Sequence, residues 1–168
     1  MDHEHSQVFV LPALIVGPVD IIRLRRELEA LDDFLHEAEL RPSGGAQSLP
    51  KLSRFLDAVA NQNGLNLLHS TDRSALMVAL ERTLKEAPVI HISFSSDPSS
   101  AFTAKIIAWF RTNIDPMVLL QIGLQPNIAA GCVVRTANHS YDLSLRKFFD
   151  KQKLLLIQKL EGAPSGER

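Results

Sequence analysis

Cys132 and His139 form the pairing in this chain closest to a nucleophile with its base, since a thiol attacks once a neighbouring imidazole takes its proton. Cys132, however, lies in the Val-rich run Cys132-Val133-Val134, and His139 lies in the turn Asn138-His139-Ser140. This placement reads as a buried structural cysteine. His36, His69 and His91 fall on three separate elements with no i, i+4 pairing, so no zinc site is expected. His3 and His5 could chelate a metal but read as solvated residues of a polar N-terminal segment. Asp97 and Asp115 each precede a proline and read as caps; acid–base work would need a second group and a pocket. Ser43-Gly44-Gly45 lacks the lysine and the strand-to-helix setting of a phosphate loop. No catalytic, cofactor-binding or metal-binding residue is therefore expected. Arg135 and Arg146 could each meet an acidic group on a partner. Trp109 reads as core. Phe94 has no second exposed aromatic and no basic groove beside it, so nucleic-acid stacking is not expected.

The bulk numbers bound the class. A chain of 168 residues makes one domain or two small ones. With 45% hydrophobic and 22% charged residues it has a globular composition, and a net charge of −1 gives no electrostatic footprint for nucleic acid or an anionic bilayer. A single cysteine excludes an internal disulfide and fits a reducing compartment. The apolar run Val8–Val16 is shorter than the roughly 20 residues of a membrane span. It also lacks a basic segment before it, so the expectation is an intracellular protein without a signal peptide or membrane insertion.

The elements that must position these residues follow from periodicity. Val8–Val16 reads as a short strand or extended arm ended by Gly17-Pro18. Asp20 caps an amphipathic helix whose stripe is Ile21, Leu24, Leu28, Leu31, Leu35 and Ala38. The stripe reads either as a core face or as a seam for a partner helix. Arg41–Gly45 is a loop. A second helix is expected after Ser48, carrying Leu49, Leu52, Phe55, Leu56 and Val59 and stopped at Gly64. A third starts near Ser70 or Thr71, carries Leu76, Met77, Leu80 and Leu84, and ends at Ala87-Pro88. Val89–Ser95 alternates as a strand with Ile90, Ile92 and Phe94 on one face. Asp97-Pro98 should start a helix burying Phe102, Ile106, Trp109 or Phe110, and Ile114, closed at Asp115-Pro116. Strands follow at Val118–Leu124, about Gly131–Ala137 and Tyr141–Leu143, then a helix from Ser144 to about Leu160. Segregated helices and strands of this kind give an α+β class: a small N-terminal helical bundle, then a strand-helix-strand-strand-helix domain. The expected division is residues 1–87, 88–161 and a disordered tail at 162–168.

At Leu124–Arg146 the chain resembles the C-terminal part of the delta subunit of F-type ATP synthases, the oligomycin-sensitivity-conferring protein family. Pro126, Ile128, Ala130, Gly131, Val133, Val134 and Arg135 match its proline-marked strand exit, small-residue step and Val-rich strand. Asp142, Ser144, Leu145 and Arg146 match the start of its terminal helix, and Val89–Asn113 keeps its order of elements. The likeness covers about 80 residues. Ala130 stands where the family has the first glycine of a pair, Leu143 stands where it has a glycine between Asp and Ser, and the N-terminal region is shorter than the family's six-helix bundle.

The resemblance implies a non-catalytic peripheral-stalk subunit on the cytoplasmic face of the membrane. In the family, the N-terminal domain grips the alpha subunits of the catalytic head and the C-terminal domain holds the b subunit, which supports proton-driven ATP synthesis. The implied alpha-subunit contacts are exposed parts of the stripe Leu24, Leu28, Leu31 and Leu35. The implied stalk contacts are Phe148, Phe149, Leu155 and Leu156. All of these are core instead if the domains pack internally. Two other classes stand beside this one: a free-standing regulatory protein-binding module, and an enzyme using Cys132.

Overall fold

The computed structural model describes residues 9–40, 50–128 and 130–146, together with Phe149, Gln152, Lys153 and Ile157. Residues 1–8, the expected loop and helix start within 41–49, Phe148, Leu155, Leu156 and the tail lie outside these residues. The chain is α+β: α1 (Pro18–Leu40), α2 (Arg54–Asn63), α3 (Ser70–Glu86), β1 (Val89–Phe94), α4 (Ser100–Asn113), β2 (Leu119–Leu124), β3 (Cys132–Arg135) and β4 (Ser140–Asp142). The described positions from Leu145 to Ile157 are helical. Two compact units emerge, and they do not divide at Pro88. One holds the chain through Val89 together with Ser100–Leu120; the other holds Ile90–Ser99 and the chain from Gln121 onward. Thus α4 and the start of β2 belong with the helical unit.

In the helical unit, α1 begins at Pro18, whose missing N–H is no loss in a first turn. Asp20 is not the cap but reaches back from inside that turn. Its Oδ2 accepts the Val16 and Gly17 N–H groups at 2.9 and 3.0 Å. Ile21, Leu24, Leu28 and Leu31 of α1 are buried with Leu56 and Val59 of α2 and Leu76 and Leu80 of α3. Each such side chain contributes about 1.5–3 kcal/mol by leaving water. α2 starts after Ser53, not Ser48. The Ser53 hydroxyl accepts from Leu56 N–H at 3.3 Å and donates to Glu27 of α1 at 2.6 Å. Gly64, at φ +64°, closes α2 in the left-handed conformation. Arg73 of α3, buried, pairs with Asp32 of α1 and donates to the Leu67 and Leu68 carbonyls at 3.1 and 3.0 Å.

Residues 9–16 form neither helix nor strand. They run as an irregular stretch with a turn at Ala13-Leu14, closed by Ile15 N–H on the Pro12 carbonyl at 3.0 Å, and with Leu11 and Ile15 in the helical core. α4 buries Thr103 and Ile107, one position round from the expected face. Phe102, Trp109 and Ile114 are consequently exposed, with Trp109 at 58%.

The second unit carries most of a mixed sheet in the order β2-β1-β3-β4. β1–β3 and β3–β4 are antiparallel, so the parallel pair is β2–β1, joined through α4. One face aligns Ile92 with Val134 and Tyr141, and Phe94 with Cys132. The other aligns His91 with Arg135 and Ser140, and Ser93 with Val133 and Asp142. Burial of Ile90, Ile92 and Phe94 matches the alternation expected of β1.

Candidate partner-binding site

The loop from β2 to the terminal helical stretch is closed by backbone contacts. Pro126–Ile128 makes one 3-10 turn and buries Ile128. Gly131 follows at φ +97°, a conformation glycine adopts freely and a side-chained residue does not. Its α-carbon lies beneath the Leu143–Ser144 backbone, where a Cβ would come within 2.5 Å of the Leu143 carbonyl oxygen. Leu143 N–H donates to the Cys132 carbonyl and Leu145 N–H to the Ala130 carbonyl, both at 2.9 Å. Asp142 Oδ1 accepts the Ser144 N–H at 2.9 Å, and Ser144 is buried. Ala130-Gly131 and Leu143-Ser144-Leu145, separate in sequence, are therefore one piece of structure. Positive φ falls on Gly131 and not on Ala130, so only the second place of this small-residue step needs glycine.

Around this clasp the surface is apolar. Tyr141, Leu143, Leu145 and Phe149 are exposed. Arg135 and Arg146 are exposed too. Of the expected stalk contacts only Phe149 is among the described residues, at 62% exposure.

The helical unit corrects the other half of the expectation. Leu24, Leu28 and Leu31 are core, with Leu28 at 0% exposure, and Leu35 packs against them half-buried. α2 and α3 cover the stripe at Leu24, Leu28 and Leu31, which matches the core alternative of the sequence reading and not the exposed one. An open groove of about 580 Å³ lies instead along the outer side of α3. Ala75, Val78 and Ala79 line it with Phe9 and Met117, and Arg82 and Glu86 form a salt bridge at 2.8 Å on the same helix. Its signal was present in the spacing of Ala75, Val78, Ala79 and Arg82, masked by the stronger stripe of Leu76 and Leu80 behind them. Arg111, which donates to the Leu11, Pro12 and Ile15 carbonyls, carried no sequence signal.

The residues that could do chemistry are kept apart. Cys132 pairs with Phe94 at one end of β3. His139 is bound to Thr136 at the other end, with Thr136 N–H donating to its carbonyl at 2.9 Å, and its ring stacks on Tyr141. The length of β3 puts ~10 Å between the two ends. Burial also pushes the Cys132 thiol above its ordinary pKa, away from the thiolate. Among the described residues no three His, Cys, Asp or Glu side chains gather to hold a metal ion. Asp97 lies three residues before α4, not at its cap, and Asp115 Oδ1 accepts the Met117 N–H at 2.7 Å in the turn after it. Phe94 is buried, as the alternation of β1 expects, whereas Phe102 and Trp109, expected in the core, are exposed, as are Tyr141 and Phe149. Among the described residues no helix is long and apolar enough to cross a membrane.

No family model and no curated protein matches the chain.

Proposed function

We propose that the chain is a delta-type subunit of an F-type ATP synthase, a static joint between the catalytic head and the b-subunit stalk. It performs no chemistry; its work is to hold two partners against torque while protons drive ATP synthesis. The observation that carries the reading is the clasp: the residues that resemble the family at Ala130-Gly131 and at Asp142–Leu145 close on one another through hydrogen bonds and a close approach that needs glycine. A helix-in-groove contact requires an apolar trough of a few helical turns. In this reading the alpha-subunit segment takes the groove over α3, and the b subunit takes the exposed Leu143, Leu145, Arg146 and Phe149. The complex would place the chain on the cytoplasmic face of the membrane.

Membrane vesicles stripped of this chain test the reading. ATP-driven proton uptake should collapse while ATP hydrolysis by the released head persists, and adding back the purified chain should restore uptake. Uptake that is the same with and without the chain would exclude the role. The alternative, a protein-binding module unrelated to ATP synthase, is favoured by exposed Phe102 and Trp109 on α4, a helix to which the family reading assigns no partner. It predicts normal uptake in the stripped vesicles.

A further inference from the structure

Residues 9–16 make no helix or strand of their own, and apart from the turn in which Ile15 N–H donates to the Pro12 carbonyl at 3.0 Å their carbonyls must find partners elsewhere. Three find the same one. Arg111, at the end of α4, donates through Nη1 to the carbonyls of Leu11 and Pro12 at 3.0 and 2.7 Å, and through Nη2 to that of Ile15 at 2.6 Å. Its Nε donates to the Val118 carbonyl at 3.2 Å. Among the described residues no acidic side chain pairs with it. Burial lowers its pKa to about 10, which still leaves a cation at neutral pH. A rigid fork of N–H groups can reach several carbonyls at once; an ammonium on the same stem is a single point.

The two ends of the stretch are tied differently. At the start, Val10 exchanges two hydrogen bonds with the Asn63 side chain, at 2.8 and 3.0 Å. At the end, the Val16 carbonyl accepts from Leu120 N–H at 2.8 Å, and Gly17 lies so close that a Cβ would meet the Leu120 carbonyl oxygen at 2.6 Å. Val16–Gly17 is thus a fixed hinge, whereas between Val10 and Ile15 the only polar tether to another element among the described residues is Arg111. Phe9, beyond the tether, lines the groove over α3.

We infer that Phe9–Ile15 is a strap that opens as a unit of its own about Val16–Gly17, and that Arg111 is its latch. Opening breaks the Arg111 bonds and draws Leu11 and Ile15 out of the helical core, so its cost is set by these local contacts and not by the stability of the whole domain. Because Phe9 is one lining residue of the groove, the strap's position sets the groove's width, whichever partner uses it.

Amide hydrogen exchange of the full chain, read by mass spectrometry, tests this. In Arg111→Gln, exchange in the peptide covering residues 9–16 should rise about tenfold or more while peptides from α1 and α3 keep their wild-type rates. Arg111→Lys should fall between the two. An equal rise in α1 and α3 would mean that Arg111 holds the whole unit and that there is no strap; no rise anywhere would mean that it is no latch. Should Arg111→Gln fail to fold, Asn63→Ala, which cuts the Val10 pair together with one bond to the Val59 carbonyl inside α2, gives the second reading. Acceleration confined to residues 9–16 supports the strap, and acceleration spread through α1–α3, or none, overturns it.

Discussion

Gly131 lies directly beneath Leu143: any Cβ on the glycine would come within 2.5 Å of the leucine's carbonyl oxygen and 2.9 Å of the Ser144 α-carbon. With φ at +97° as well, alanine is opposed by sterics and by backbone conformation together. Gly131→Ala should therefore destabilise the second unit by about 1–3 kcal/mol, seen as an earlier urea midpoint. Ala130→Gly should be far milder. Equal effects of the two would remove the clasp as the reason for the small-residue step.

Leu28 is fully buried among α1, α2 and α3. Leu28→Ala should cost about 2–5 kcal/mol, read by thermal or urea unfolding. Loss of partner binding by this variant with unchanged stability would favour the partner seam, the other of the two readings open to the stripe in the sequence.

Val78 is 65% exposed at the groove over α3. Val78→Asp should leave stability within about 0.5 kcal/mol, since it disturbs no core contact. It should nonetheless lower recovery of the alpha subunit with the tagged chain, because a carboxylate beside Ala75 and Ala79 must be desolvated when a helix docks. Unchanged recovery would move the head contact elsewhere.

Cys132 is half-buried, and its thiol is held above the ordinary pKa by loss of water. A raised pKa means less thiolate at neutral pH than in a free cysteine, so iodoacetamide should modify the folded chain slowly at pH 7. The rate should still be climbing with pH where a free cysteine has levelled off. Fast modification at pH 7 would revive the enzyme reading.

Elements with a local cause were legible in the sequence. The alternation of Ile90, Ile92 and Phe94, the stop at Gly64, the start of α3 near Ser70 and the close at Asp115-Pro116 each depend on neighbours within a few residues. What distant residues decide was not. Ser48 and Ser53 are both reasonable caps; Ser53 is used because Glu27 of α1 receives it. The face of α4 was misread for the same reason. An apolar period favours Phe102 and Trp109, but the helix turns Thr103, Ile107 and Arg111 inward, and Arg111 goes there for the carbonyls of the strap. The stripe of α1 was read correctly as apolar, but whether it is core or seam depended on α2 and α3 covering it. At the candidate site, the residue types at Ala130-Gly131 and Asp142–Leu145 were visible, and their closure on each other was not.

The most direct measurement is recovery of tagged chain from native membranes in mild salt, with quantitative mass spectrometry of what accompanies it. The stalk reading predicts alpha, beta and b subunits of the ATP synthase in stoichiometric amounts. Recovery of the chain without them, from membranes whose heads are still attached, would contradict it.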